Sequence, residues 1–508
     1  MRNNITTLIL SIVFFIPMVF AQIPFVIGYS QAQGNDGVLQ LRVISESDAI
    51  IAGNGVVKIV LPDGTVGCAD LVDTTDINAS EIRVYTPYGT KAWRKSNSEV
   101  FCAAFGGSGR EFASSITQTL KGEYILAGQT LADGPGAWSI MLVKTNDTGS
   151  LLWTKAIGGV SSDAGHSICA TSDSGYAVTG HTYSFGDGSS DVLLMKFNSN
   201  DTLEWARYIG GSGWQEGNSI VHTSDKGFVV AGGIQGTGAG ERDIFVFKVD
   251  SAGSVEWAKA IGGSGEEFGY SIVQTCDGGY GILGSTESYG SGNYDLLVIK
   301  LASDGNLEWA KAIGESDRED GFEMINSNDN GFFLTGKATH SFLDNLLVLK
   351  LNSLGNLIWG RELGELGSSD YGYSLVQLND SSVVVVGQTY NYGSGVIVSR
   401  LTDVGILEWS SVIKENQSVG FSIIVTDDDA LAIGGFTSYY GEGSDDFLLV
   451  KMGFLGESCC DSLIVPTMTS ISPTFTGITP IVTNFTPDNV EISPIIESVT
   501  LTQTMICD

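Results

Sequence analysis

Histidine is scarce in this chain, four among 508 residues, and proline is held to 10. Basic residues are also few: 26 Lys and Arg stand against 58 Asp and Glu, a formal charge of −32. A field of that sign repels phosphate backbones and anionic lipid, so no nucleic-acid partner is expected, while cations and neutral ligands stay open. Apolar residues nowhere follow a helical period. After Phe20 no long apolar run follows, and no transmembrane helix is expected in the mature chain. The histidines, His166, His181, His222 and His340, fall at different places in the repeat described below, with no nucleophile elbow beside them. They read as isolated substitutions, because a catalytic site needs convergent partners.

Glycine, by contrast, is abundant, with 66 residues, and the chain has a period. Trp153, Trp205, Trp257, Trp309, Trp359 and Trp409 follow one another at steps of 52, 52, 52, 50 and 50 residues, and Phe101 stands one step earlier. Such a period signals repeat architecture. One unit, 270–313, holds four apolar segments: Tyr270 to Thr275, Tyr280 to Thr286, Leu296 to Leu301 and Leu307 to Ile313. Turn chemistry separates them, as in Cys276-Asp277-Gly278-Gly279 and Ser303-Asp304-Gly305, so they read as short β-strands. The second of those turns fits a three-residue hairpin loop with Gly305 in the left-handed position. It sets Lys300 opposite Glu308, a structural ion pair repeated at Lys196/Glu204, Lys248/Glu256 and Arg400/Glu408.

Four antiparallel strands per unit predict an all-β fold, a seven-bladed β-propeller. Its first regular phrase, Phe101 to Gly107, is an outer strand, and its last unit, Phe421 to Met452, supplies three inner strands. The N-terminal outer strand is therefore expected to close the last blade, which removes two open edges. Residues 22–99 carry worn repeat strands, such as Arg42 to Gly53, and leave an alternative open: an eighth, degenerate N-terminal blade, or a β-appendage.

The phrase Asp243-Ile244-Phe245-Val246-Phe247-Lys248-Val249-Asp250-Ser251-Ala252-Gly253-Ser254-Val255-Glu256-Trp257, with Ile261-Gly262-Gly263-Ser264-Gly265 and Thr275-Cys276-Asp277-Gly278-Gly279-Tyr280, resembles the seven-bladed β-propeller repeat family of exported microbial proteins. The resemblance covers about 100–455. It implies a secreted or cell-surface propeller, often joined to adhesive or stalk-like modules, and brings no general catalytic motif.

The flanks divide the rest. Arg2, the apolar Leu8 to Phe20 and Val19-Phe20-Ala21 read as a secretory signal over 1–21. The propeller is expected over 100–458 and a Thr/Ser/Pro-rich tail over 459–508. Pro466, Pro473, Pro480, Pro487 and Pro494 recur every seven residues there, which fits an extended, O-glycosylated stalk or a small β-structure. Of seven cysteines, Cys102, Cys169 and Cys276 sit at ordinary repeat positions; Cys68, Cys459, Cys460 and Cys507 are the disulfide candidates. Sequons at Asn78, Asn146, Asn200, Asn379, Asn416 and Asn484 mark glycosylation candidates, unless these are plain turn residues. Asn146, Asn200 and Asn379 lie in turns of one propeller face.

The opposite face is expected to bind. Loops leading into each first strand carry acids, Glu111, Asp163, Glu216, Glu266, Glu267, Asp317, Glu319, Asp320 and Asp370. Glu266, Glu267, Asp317 and Asp320 are the metal candidates, with Ca²⁺ the ion such oxygens suit and no cofactor required. Neighbouring loops carry Tyr183, Tyr289, Tyr294, Tyr390, Tyr392, Tyr439 and Tyr440, rings able to stack on glycans. The bland alternative is a solvated rim with aromatic plugs. A recognition or adhesion module for extracellular glycans or proteins is thus the first expectation. A polysaccharide hydrolase or lyase, or a quinoprotein-like enzyme, with its site in the central channel is the second; a surface spacer is the third. The inner strands look alike from blade to blade, which counts against the enzyme.

Overall fold

The computed structural model describes 100–454 and Gly456, apart from the loop segments 132–133, 187–188, 365–366, 391–393, 414–416 and 442–443; elsewhere it gives strand backbones alone. The described region is a seven-bladed propeller of four-stranded antiparallel sheets. Blade 1 holds Arg110–Gln118, Tyr124–Leu131, Trp138–Thr145 and Leu151–Gly158; blade 4 holds Glu267–Gln274, Tyr280–Thr286, Asp295–Leu301 and Leu307–Gly314. Blade 7 takes Ser418–Val425, Leu431–Thr437 and Asp446–Met452 from the end of the ring and its outer strand, Phe101–Gly106, from the beginning. Cys102 pairs with Val450 and Phe105 with Phe447, as ring closure requires.

The continuous apolar runs are explained by position. Leu296, Leu297, Val298 and Ile299 are all buried, because each blade is covered on both faces by its neighbours. Phe228, Val230, Phe245 and Phe247 of blade 3, for example, pack with Val192 and Leu194 of blade 2.

A polar seam also runs round the axis. The hydroxyl of Ser115 accepts from Ile168 N at 3.3 Å, Ser167 from Ile220 N at 3.4 Å, Ser219 from Ile272 N at 3.2 Å and Ser271 from Met324 N at 3.1 Å. In blade 5 Glu323 replaces serine and accepts from Leu375 N at 2.7 Å; Ser374 then accepts from Ile423 N at 3.0 Å. Ser422 closes the circle, accepting from Ile116 N at 3.4 Å.

The tryptophan period marks a latch between blades. Gly305 (φ 78°) tops the hairpin of blade 4, and a Cβ there would meet the Trp257 ring of blade 3 at 3.0 Å. Gly253, Gly355 and Gly405 lie equally close to Trp205, Trp309 and Trp359. Trp205 Nε1 donates to Ser251 O at 3.1 Å and Trp359 Nε1 to Asp403 O at 2.8 Å. Phe101 does the same work against Gly149, joining the last blade to the first. Beneath the hairpins of blades 2, 3, 4 and 6 the expected ion pair forms and gains a second acid: Lys300 Nζ lies 3.1 Å from Glu308 and 3.0 Å from Asp277.

The tail is not an extended stalk. Asp461–Ile464 pairs with the outer strand of blade 6, Thr467–Ile471 with blade 5 and Thr474–Ile478 with blade 4. Ile481–Asn484, Asp488–Glu491 and Ile495–Ser498 continue to blades 3, 2 and 1, and Thr502–Met505 reaches Phe101–Gly106 of blade 7. The seven-residue proline period matches the strand-to-strand step of the tail, and none of these strands contains a proline, which could not donate to a ladder. Twist explains the path. Neighbouring strands turn by about 20–25°, so a fifth strand lies roughly at right angles to the first.

Residues 1–99, with 428–430 and 453–457, group into a unit distinct from the rest of the chain. Leu8–Ile12, Phe25–Ser30, Val38–Val43, Glu81–Thr86 and Gly89–Arg94 make one sheet in that order, with Val38 to Arg42 parallel to Glu81 to Tyr85. A parallel pair does not occur in the antiparallel blades, so the eighth-blade alternative is set aside. Cys459, Cys460, Cys507, Asn78, Asn416 and Tyr392 lie outside the described residues, as do the side chains of Cys68 and Asn484. Cys169 and Cys276 are free thiols, and Cys102 is buried.

Candidate functional site

Every first strand carries a β-bulge at the same place, between Gly269 and Ser271 in blade 4 and at the equivalent pair in each other blade. A bulge leaves one residue unpaired and re-aims its side chain. The seven bulged residues are Ser114, His166, Asn218, Tyr270, Phe322, Tyr373 and Phe421, and they meet across blade boundaries round the channel. Tyr270 lies 5.9 Å from Phe322 between ring centroids, Phe322 lies 5.3 Å from Tyr373, and Tyr373 lies 4.9 Å from Phe421. His166 Nδ1 and Asn218 Oδ1 are 3.0 Å apart.

Two residues earlier, on the same side of the strand, stand Phe112, Ala164, Glu216, Phe268, Asp320, Tyr371 and Val419. Phe268 stacks on Tyr270 (6.0 Å, 8°) and Tyr371 on Tyr373 (5.9 Å, 7°), so aromatic rings tile blades 4 and 6. Between them blade 5 is charged: Arg318 donates to Asp320 at 2.7 Å, Ser285 donates to it at 3.1 Å, and Lys337 stands 3.6 Å from Asp320 and 3.4 Å from Asp344. Tyr371 OH donates to Asp344 at 2.8 Å. Burial and that carboxylate push the Tyr371 hydroxyl up to about 12, so it stays a donor at neutral pH. Blades 2 and 3 contribute His166, His181, Glu216 and Asn218 instead. His181 is held neutral, its pKa lowered to about 3 by burial and by neighbouring His166.

The inner strands are therefore alike in backbone and unlike at the mouth, which corrects the sequence expectation of uniformity. The difference sits on two positions per strand, while the repeated Gly, Ser and Ile around them make the segments look the same.

The rim tyrosines divide. Tyr183 is half exposed and meets His181 edge-on at 5.4 Å; Tyr294 lies 6.3 Å from Phe268, and Tyr390 lies 6.2 Å from Tyr371. These three extend the mouth. Tyr289 instead donates to Gly262 O at 3.1 Å, holding its own loop. Tyr439 and Tyr440 pack edge-on against each other at 4.9 Å.

Glu266, Glu267, Asp317 and Asp320 do not come together as a ligand set. Glu266 accepts from Tyr294 OH at 3.0 Å, Asp317 is exposed, and Asp320 is engaged as above. Glu267 is fully buried and accepts from Gly263 N at 2.6 Å and Thr286 OH at 2.7 Å. It is a loop clamp, repeated by Glu111 on Gly107 N (3.1 Å), Asp163 on Gly159 N (2.8 Å) and Glu319 on Glu315 N (3.0 Å). Among the described residues, one group of three His, Cys, Asp or Glu side chains brings its ligand atoms within 4.8 Å of one another: His166, His181 and Glu216. Sequence reading separated these three. The usable signal was the bulge: His166 and Asn218 are one repeat apart, and His181 pairs with Ala164, the repeat equivalent of Glu216.

On the opposite face, Asn146 Oδ1 accepts from Ser150 N at 2.7 Å and Thr148 N at 3.1 Å, so it serves its turn; Asn200 and Asn379 are exposed.

Fold and site together define a seven-bladed β-propeller with one non-uniform channel mouth. No family model matches the chain. It is 27% identical over 230 residues to the regulatory protein FlaEY of Caulobacter vibrioides, a match that takes in 39% of this chain and 23% of that protein. The chain thus spans about a quarter of that relative's length. Among solved structures it is similar to Sqt1 of Chaetomium thermophilum (TM-score 0.40, 9% identity, 70% of this chain and 98% of that one). A protein of unknown function from Dyadobacter fermentans is comparable (TM-score 0.39, 11% identity, 70% and 98%). These likenesses concern the fold.

Proposed function

We propose that the protein is a recognition module that binds a carbohydrate at the channel mouth. The observation that supports this reading is the pair of aromatic stacks, Phe268/Tyr270 and Tyr371/Tyr373, on either side of Asp320, Arg318 and Lys337. A sugar ring has apolar faces and a hydroxyl rim, and it is matched by flat rings beside fixed donors and acceptors. Tyr183, Tyr294 and Tyr390 extend the same surface. The net charge of −32 favours neutral or cationic saccharides over phosphorylated ones. The apolar N-terminal stretch and the repeat resemblance support an exported, extracellular or cell-surface setting, with adhesion to glycans or glycoproteins as the role; Ca²⁺ would act there only as an auxiliary ion.

A polysaccharide-cleaving enzyme is the second reading, favoured by charged residues that differ between blades and converge on one mouth. A glycan array probed with the purified chain, followed by turnover assays on each hit, separates the two. Saturable binding without turnover, lost in Tyr371→Ala, supports recognition; product release supports the enzyme. Binding to nothing on the array leaves the spacer and overturns the proposal.

A further inference from the structure

We propose that His166, His181 and Glu216 bind one divalent transition-metal ion, of the zinc class, at the channel mouth. Two imidazole nitrogens and one carboxylate oxygen suit Zn²⁺ and its neighbours better than Ca²⁺, which takes six or more oxygens. The three ligand atoms lie within 4.8 Å of one another, and all three residues are partly exposed. Metal bonds of about 2.0–2.2 Å need donors roughly 3.2–3.6 Å apart, so rotations of about an ångström at the side-chain tips close the set.

The hydrogen bonds around the triad prepare it. Asn218 Nδ2 donates to Gly269 O at 3.0 Å and to Glu216 Oε1 at 3.0 Å. A backbone carbonyl only accepts, so the amide has one orientation, and its Oδ1 faces His166 Nδ1 at 3.0 Å. That contact requires Nδ1 to carry the proton, which leaves the Nε2 lone pair of neutral His166 free for a metal. One residue thus fixes the histidine tautomer and orients the carboxylate, the arrangement that second-shell partners supply in metal sites. The other histidine offers an independent sign: His181 Nδ1 is buried and has no hydrogen-bond partner among the described residues. The His166 and His181 rings lie 4.9 Å apart, edge to face. No other blade repeats the set, since Ala164 replaces the acid in blade 2 and Tyr270 the histidine in blade 4. With three protein ligands and an open channel, further coordination positions remain for water or a ligand oxygen.

The test is Zn²⁺ titration of the full chain after chelator treatment, read by calorimetry and by metal analysis, with Co²⁺ absorption as a second readout. One ion per chain is expected, with ligand-field bands from bound Co²⁺. His181→Ala and Glu216→Gln should each weaken binding by about 100-fold or more, Asn218→Ala by about 10- to 100-fold, and His222→Ala should bind as the parent does. Thermal unfolding of each variant shows whether it is folded. Absence of stoichiometric uptake by the parent chain, or equal uptake by folded His181→Ala, overturns the proposal. Because the parent chain alone gives the first answer, a misfolded variant does not block the test.

Discussion

Gly284 sits across from the bulge of blade 4, where the Phe268 carbonyl leans over the partner strand. A Cβ on Gly284 would meet that oxygen at 1.9 Å, and the same clash recurs at Gly128, Gly180, Gly232, Gly336, Gly387 and Gly435. The carbonyl belongs to the strand that carries the site, so it cannot move away without moving Tyr270. Gly284→Ala should therefore lower stability by about 1–3 kcal/mol or more and weaken any ligand bound at the mouth. Gly211→Ala, with nothing within 4 Å of the new carbon, should stay within about 0.5 kcal/mol of the parent. Denaturant unfolding of both variants decides this.

Glu323 makes a second residue-scale prediction. Burial raises its carboxyl from 4.5 to about 7, against the hydrogen bonds from Ser374 and Leu375 N. A raised folded pKa means the folded state holds the proton more tightly, so this contribution is complete below about pH 4.5 and is lost as pH rises through 7. Glu323→Gln should raise the melting temperature relative to the parent at pH 8 and not at pH 4. Glu319, also raised to about 7 by burial, keeps part of the slope in the variant. Asp277 works in the opposite window: hydrogen bonds from Thr275 and Gly279, with Lys300, hold it at about 2, and its contribution fades as pH falls from about 4 toward 2.

At the scale of elements, the fifth strands matter most. Each outer strand of the ring would otherwise present free N–H and C=O groups at the circumference, and such edges invite pairing with other chains. A chain ending at residue 460 should melt at lower temperature and self-associate, which light scattering during heating would reveal. An unchanged, monomeric, equally stable product would show that the belt is dispensable. Legibility follows the same division. Trp153 to Trp409 were legible because a latch that recurs from blade to blade leaves the same residue type at steps of 50 or 52 residues. Phase gave ring closure, since Phe101 opens on an outer strand and Met452 ends on a third. The tail's course was not legible: five prolines and many Thr fit PPII and β alike, and the deciding partners lie hundreds of residues away. The mouth was hidden for another reason. A bulge changes which residue faces the axis without changing the pattern of apolar residues, so Tyr270 and His166 looked like ordinary strand positions, whereas the loop tyrosines drew attention by composition.

As a whole molecule, the ring is closed by hydrogen bonds between its ends: Phe101–Gly106 pairs with Asp446–Met452, and Ser422 meets Ile116 N at 3.4 Å. Cooperativity should depend on that closure. Removal of residues 1–99 should leave one sharp unfolding transition for the ring, because the strands before Phe101 belong to none of the seven blade sheets. Removal of 1–106 should broaden the transition and lower its midpoint, as blade 7 loses its outer strand and Phe101 leaves Gly149. Scanning calorimetry compares the two, and equal profiles would contradict closure as the source of stability.

Closure also concentrates the proposed function, since seven bulges deliver seven side chains of five kinds to a single mouth. The most direct test of that claim is calorimetric titration of an array-selected oligosaccharide into the parent chain and into Tyr373→Ala, which alters the channel ring and leaves the rim tyrosines in place. One site per chain, with affinity falling at least about tenfold in Tyr373→Ala, is predicted; tenfold corresponds to about 1.4 kcal/mol. Undiminished binding by the folded variant would place recognition elsewhere and contradict the account.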